Sequence, residues 1–276
     1  MRRSRRCAAD VARLRSWRRS RSAAKPCRSR AKRSRVGRGL RVAATSPIYC
    51  ALDVPSVDAA IALGQQAAPS LGGIKLGLEF FCANGLSGVR AVSDAAGLPL
   101  FLDLKFHDIP NTVAAAVRSV MPARPAILTV HAQGGVAMLQ AARTAAHDAA
   151  ATLGVPPPRI VAVTVLTSLD SGDLAEMGVV APPHEQALVL AALARRAGMD
   201  GVVCSAAEVA GVRAAWPEGF LVTPGIRPLE SAAGDQKRVT TPRAALAAGS
   251  DVLVIGRPIT DAANPAEAAR MILASL

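Results

Sequence analysis

The chain has 276 residues, 51% of them apolar, and a formal net charge of +13. That charge sits at one end: residues 1–45 hold 17 of the 33 Lys and Arg and a single acid, Asp10, which leaves 16 basic against 19 acidic residues, net −3, in the rest. A basic nucleic-acid-binding body is thereby excluded. The five scattered cysteines form no CxxC pair and argue against a zinc ribbon or a disulfide framework, and no apolar run reaches the ~18 residues of a membrane helix.

Residues 1–45 are rich in Arg, Ser and Ala and are expected to be a disordered tail, because so little apolar surface cannot offset the entropy of ordering. Val11, Leu14 and Trp17 fall at helical spacing, enough for a transient amphipathic turn. Three origins fit: a transit peptide, an arm for anionic surfaces, or translated sequence upstream of the true start. The last is the expected one. It goes with a cytoplasmic protein, as does the lack of an apolar signal-peptide segment.

The barrel domain is expected over residues 46–276. Strand candidates follow in order at 48–53, 73–78, 100–105, 126–131, 160–166, 201–204, 220–223 and 252–255. Most are apolar at consecutive positions, the pattern of parallel strands covered on both faces. Ala/Leu-rich helical stretches lie between them, for example 57–68, 112–120, 136–150, 185–197 and 265–273. Gly198 and Gly249 mark helix ends, and Pro242 suits the first turn of a helix over 243–248. Eight such units predict an α/β fold, a closed (β/α)8 TIM barrel rather than an open sheet. The segments 168–183 and 227–239 are long for loops and are candidate lids.

Active sites of such barrels lie at the C-terminal ends of the strands. Those ends carry Asp53, Lys75, Asp103, Lys105, His107, Asp108, His131 and Thr167, with Arg227 and Gly256-Arg257 after the last two strands. Any one of these alone is most simply a solvated rim residue. Together they are harder to dismiss. Asp103 and Lys105 are two apart, so both face the interior if Leu104 packs outward. Two charges in a barrel mouth cost several kcal/mol unless paired, and Lys75 and Asp108 are candidates to pair them. An alternating Lys-Asp-Lys-Asp array results, with Lys105 held as an ammonium able to donate a proton. Arg227 and Arg257 fall in the loops that bind phosphate in this fold, each near a glycine, and Gln236 lies where it can close over the anion.

The run Asp103-Leu104-Lys105-Phe106-His107-Asp108-Ile109-Pro110-Asn111-Thr112 resembles the signature of the orotidine 5′-phosphate decarboxylase family, bacterial form. Similar runs extend over 48–276, among them Ile74-Lys75-Leu76-Gly77, AVTVLTS at 162–168, DGVVCS at 200–205 and VTPGIRP at 222–228. The resemblance implies decarboxylation of orotidine 5′-phosphate to UMP with no metal and no cofactor. It implies Lys105 as proton donor to C6, Asp103 facing the scissile carboxylate, and Lys75 and Asp108 completing the charge array. It further implies Asp53 and Lys75 on the ribose hydroxyls, Thr167 at the pyrimidine edge, and Arg227, Gln236, Gly256 and Arg257 at the phosphate. A homodimer with shared active sites follows, Asp108 and Thr112 reaching into the neighbouring subunit, with no membrane and no specific nucleic acid as partner. The nearest rivals are the Mg2+-dependent sugar-phosphate decarboxylases and synthases of the same superfamily, which place an acid on strand 2 where this chain has Lys75. A non-catalytic nucleotide-binding barrel with a nucleic-acid-binding tail would rest on residues 1–45 alone.

Overall fold

Short β-branched and leucine-rich runs become strands here because both of their faces find apolar cover. The computed structural model describes residues 46–227 and 240–276. Its strands are β1 (Ile48–Ala51), β2 (Gly73–Gly77), β3 (Leu100–Phe106), β4 (Ile127–His131), β5 (Arg159–Val163), β6 (Gly201–Val203), β7 (Phe220–Thr223) and β8 (Val252–Ile255). Each pairs in parallel with the next, and β1 pairs with β8, so the sheet closes into an eight-stranded barrel. This is the (β/α)8 TIM barrel expected from the alternation of elements. The tail expected at 1–45, Gln236, and most of the loop expected at 227–239 lie outside the described residues.

The helices are α1 (Val57–Ala67), α2 (Leu78–Ala96), α3 (Pro110–Val120), α4 (Gly135–Leu153), α5 (Ser171–Glu176), α6 (Pro183–Arg196), α7 (Ala206–Ala215), α8 (Pro242–Ala247), α9 (Arg257–Thr260) and α10 (Pro265–Ala274). Their starts are chemically marked. The Ser56 hydroxyl accepts from the Ala59 N–H, the Asn264 side chain accepts from the Glu267 N–H, and Pro110, Pro183, Pro242 and Pro265 open helices where a missing N–H costs nothing. Gly198 and Gly249 follow the last residues of α6 and α8 at φ 78° and 109°, as expected of helix stops. The stretch 168–183 is a correction, since it holds the short helix α5. Asp170 and Asp173 cap it reciprocally, each carboxylate accepting the other residue's N–H.

Alternation along the strands sorts side chains into two cores. Leu100, Leu102 and Leu104 of β3 join the large layer between strands and helices. Phe101 instead enters a smaller cluster inside the barrel with Ile127, Val161, Val163, Val222 and Val254. Leu104 therefore does pack outward. The inner cluster fills the barrel and leaves the polar residues at its C-terminal mouth.

Candidate active site

A cavity of about 580 Å3 opens above the inner cluster. Ala51, Phe101, Val163, Val203 and Val254 line its apolar part, while Asp53, Lys75, Asp103, Lys105, Thr167, Arg227, Gly256 and Arg257 supply its polar wall. Apolar walls with a few convergent polar groups are what a flat, charged small molecule requires.

The two strands β2 and β3 bring the charges together. Lys105 Nζ lies 2.7 Å from Asp103 Oδ2, and Lys75 Nζ lies 3.8 Å from that same oxygen and 3.0 Å from Asp53 Oδ1. The side chains of Lys75 and Asp103 are only 10% and 11% exposed. Either would cost several kcal/mol if left alone, and the alternation Asp53–Lys75–Asp103–Lys105 gives both of them opposite charges on two sides. Asp53 is 56% exposed, so its share is screened by water. Gly77 ends β2 beside this chain of charges: a Cβ there would stand 3.1 Å from Lys75 Nζ and 3.5 Å from Asp53 Oδ1.

Within the single chain Asp108 stands apart from the array. It is exposed on the turn into α3, where its carboxylate accepts the N–H of Ile109 at 2.6 Å, and Asp53 takes the fourth position instead. Thr112, also exposed, lies away from the cavity wall. The backbone is also less regular than a spacing of two implies. Leu102 pairs with Leu128 and Phe106 with Val130, so Asp103, Leu104 and Lys105 stand opposite Thr129 alone. Lys105 adopts φ 49°, a left-handed conformation uncommon outside glycine.

Sequence reasoning missed Thr129. Its buried hydroxyl donates to Asp103 Oδ1 at 3.0 Å and accepts the Lys105 backbone N–H at 2.8 Å. His131, at the end of β4, stacks on His107 with ring centroids 5.2 Å apart. Burial, followed by the charges of His107 and Lys105, pushes His131 down to about 4, so its imidazole is neutral at physiological pH. Arg227 is buried and Arg257 exposed where the chain leaves β7 and β8, and both line the cavity. Ile226 pairs with Thr240 across the ends of the 228–239 segment. Among the described residues no three His, Cys, Asp or Glu side chains stand together as a metal site.

The sequence profile of the orotidine 5′-phosphate decarboxylase / HUMPS family matches residues 46–272. The chain belongs to this family. The orotidine 5′-phosphate decarboxylase of Sphingopyxis alaskensis is 54% identical over 232 residues, covering 84% of this chain and all of that protein. The protein of the same name from Rhodospirillum rubrum is 58% identical over 228 residues, 82% of this chain and 92% of its own. Among solved structures, orotidine 5′-phosphate decarboxylase from Lactobacillus acidophilus superposes with a TM-score of 0.69 at 34% identity, covering 82% of this chain and 97% of that one. The matched region begins at residue 46, where the charge of the sequence changes character.

Proposed function

We propose that this chain converts orotidine 5′-phosphate to UMP and CO2, the last step of de novo UMP synthesis, without a metal or cofactor. The family profile spans two reaction classes, and two features favour this one. The relatives at 54% and 58% identity carry this name. Lys75 puts an ammonium on β2 within 3.0 Å of Asp53, where a divalent cation would be repelled.

The roles are those that the resemblance to the family implies, and the chemistry of each position is compatible with them. Arg227 and Arg257 hold the phosphate, with Gly256 beside them and Gln236 covering it. Asp53 and Lys75 take the ribose hydroxyls, Thr167 meets the pyrimidine edge, and the ring lies over the apolar floor. The carboxylate of the substrate faces Asp103. The bond from C6 to that carboxylate breaks, its electron pair stays on C6, and CO2 leaves. No ring carbonyl is placed to delocalise the pair, so fixed charge must stabilise it. The Lys105 ammonium does this, then gives its proton to C6 and is reprotonated from solvent. The observation that carries this reading is the Lys105 ammonium at the cavity wall, 2.7 Å from Asp103 and backed by Lys75. Phosphate contacts remote from C6 contribute to lowering the barrier by fixing the substrate in place.

The proposal extends to a homodimer in which Asp108 and Thr112 act in the neighbouring subunit's site. Both are exposed in the single chain, and Ile109 between them is 67% exposed, an apolar side chain suited to burial in an interface. The barrel unit is residues 46–276, residues 1–45 have no role in the reaction, and the protein works in the cytoplasm. No described helix is long and apolar enough to cross a membrane. The test of the reaction is product identity: incubation with orotidine 5′-phosphate in D2O yields UMP carrying one deuterium at C6. Unchanged substrate, or a product still bearing the carboxylate, overturns the proposal.

A further inference from the structure

The irregularity in the sheet and the charge array meet at one side chain. Because Asp103, Leu104 and Lys105 all stand opposite Thr129, the Lys105 N–H loses the ladder carbonyl that a regular parallel pair would offer. Thr129 is fully buried, so water does not reach this donor from that side. A hydroxyl has one proton and two lone pairs. Its proton goes to Asp103 Oδ1, since a carboxylate only accepts, and a lone pair receives the Lys105 N–H. A closed ring of contacts results. It runs from the Lys105 backbone to the Thr129 hydroxyl, then to one oxygen of Asp103, and through its other oxygen back to Lys105 Nζ at 2.7 Å.

We propose that Thr129 is a positioning residue for the decarboxylation, its hydroxyl fixing both the rotation of the Asp103 carboxylate and the left-handed backbone at Lys105, and so the place of the Lys105 ammonium. This rests on the reading of Lys105 as proton donor to C6. With Oδ1 held by Thr129, Oδ2 is the oxygen turned toward the two lysines. Without the hydroxyl, the carboxylate is free to rotate and the bulge loses its anchor. The ammonium then moves relative to C6, while the phosphate contacts beyond β7 and β8 are untouched.

Thr129→Val keeps the shape and removes the hydroxyl; Thr129→Ser keeps the hydroxyl and removes the methyl. Thr129→Val is expected to lower kcat by about 10–100-fold, the scale on which small misplacements act, with KM within about threefold of wild type. UMP, which lacks the carboxylate, should bind Thr129→Val with unchanged stoichiometry and an affinity within about threefold, which shows that the site is folded. Thr129→Ser should stay within about fivefold of the wild-type kcat, a rescue that a purely space-filling role would not give. Should Thr129→Val not fold, Thr129→Ala carries the same expectation against Thr129→Ser. The inference is overturned by a hydroxyl-free variant within about threefold of the wild-type kcat, by serine and valine losing equally, or by UMP binding falling in step with turnover. Wild type assayed alongside separates the two readings: an inactive wild type refutes the proposed reaction, whereas an active wild type with an unaffected Thr129→Val refutes the role of Thr129 alone.

Discussion

Replacing Lys105 by alanine separates chemistry from stability. On the proposed mechanism one ammonium supplies two effects, charge beside the C6 carbanion and the proton that quenches it. Fixed charge of this kind is worth ~10²–10³ and a positioned acid ~10²–10⁴, so their joint loss should lower kcat by at least ~10⁴. The stability cost is smaller than breaking a buried pair usually is. Asp103, 11% exposed, would keep Lys75 at 3.8 Å and the Thr129 hydroxyl at 3.0 Å. A lone buried partner costs ~3–5 kcal/mol, and the two surviving contacts reduce that to about 1–2 kcal/mol, or roughly 2–8 °C in Tm. The backbone offers an internal control. Lys105 sits at φ 49°, which penalises alanine but not glycine. Lys105→Gly should therefore be as inactive as Lys105→Ala yet more stable, by up to about 1 kcal/mol. Loss of orotidine 5′-phosphate absorbance reads the chemistry, thermal melts read the stability, and UMP titration reports an intact site. A Lys105→Ala enzyme within about tenfold of wild type would refute the assignment of Lys105.

Mixing inactive Lys105→Ala and Asp108→Ala chains should restore activity approaching half the wild-type value per heterodimer, because one site then holds both residues; no recovery after verified subunit exchange would place both residues in the same chain. Gly77→Ala pushes a Cβ to 3.1 Å from Lys75 Nζ and should lower kcat/KM by about tenfold with little change in Tm; unaltered kinetics would mean that the lysine simply moves aside. His131 is depressed to about 4 in the folded chain against 6.5, so the unfolded chain takes up its proton first as pH falls. The stability it contributes is full above pH ~6.5 and is lost toward pH ~4, at most ~3 kcal/mol and roughly half that after allowing for its partial exposure. His131→Asn should accordingly flatten the fall in Tm across that window, and an unchanged slope would count against the shift. Deleting residues 1–45 should leave both Tm and activity unchanged, and loss of either would mean that the segment packs on the barrel.

The fold was legible because its signal is local. Runs such as Leu100–Leu102 and Val252–Ile255 are apolar at consecutive positions, and proline, serine and asparagine mark where helices begin. Lys75, Asp103 and Lys105 were legible as a group, since they are charges on neighbouring, otherwise apolar strands, and a charge on a barrel strand is tolerated toward the mouth. Asp108 follows Lys105 closely in sequence yet stands apart from the array within the single chain, because nearness in sequence is not nearness in space. The side chain that pairs with Lys75 comes from beyond β1, through the register that sets Ala51 beside Lys75, and register is a property of two strands. Thr129 was invisible for a related reason. In the run Ile127–His131 a threonine is an ordinary β-branched strand residue, and only the bulge gives its hydroxyl a task. The bulge carries no marker of its own, because the residue at positive φ is a lysine rather than a glycine. The helix Ser171–Glu176, by contrast, had a readable sign in the pair Asp170 and Asp173.

The central claim is that fixed charge from Lys75, Asp103 and Lys105 performs the reaction without a metal. Turnover of orotidine 5′-phosphate to UMP by the full-length chain, measured before and after exhaustive treatment with EDTA, tests it most directly. The account predicts the same kcat/KM in both samples and no gain on adding Mg2+. Activity abolished by EDTA and restored by Mg2+ would contradict it and assign the chain to the metal-dependent branch of its family.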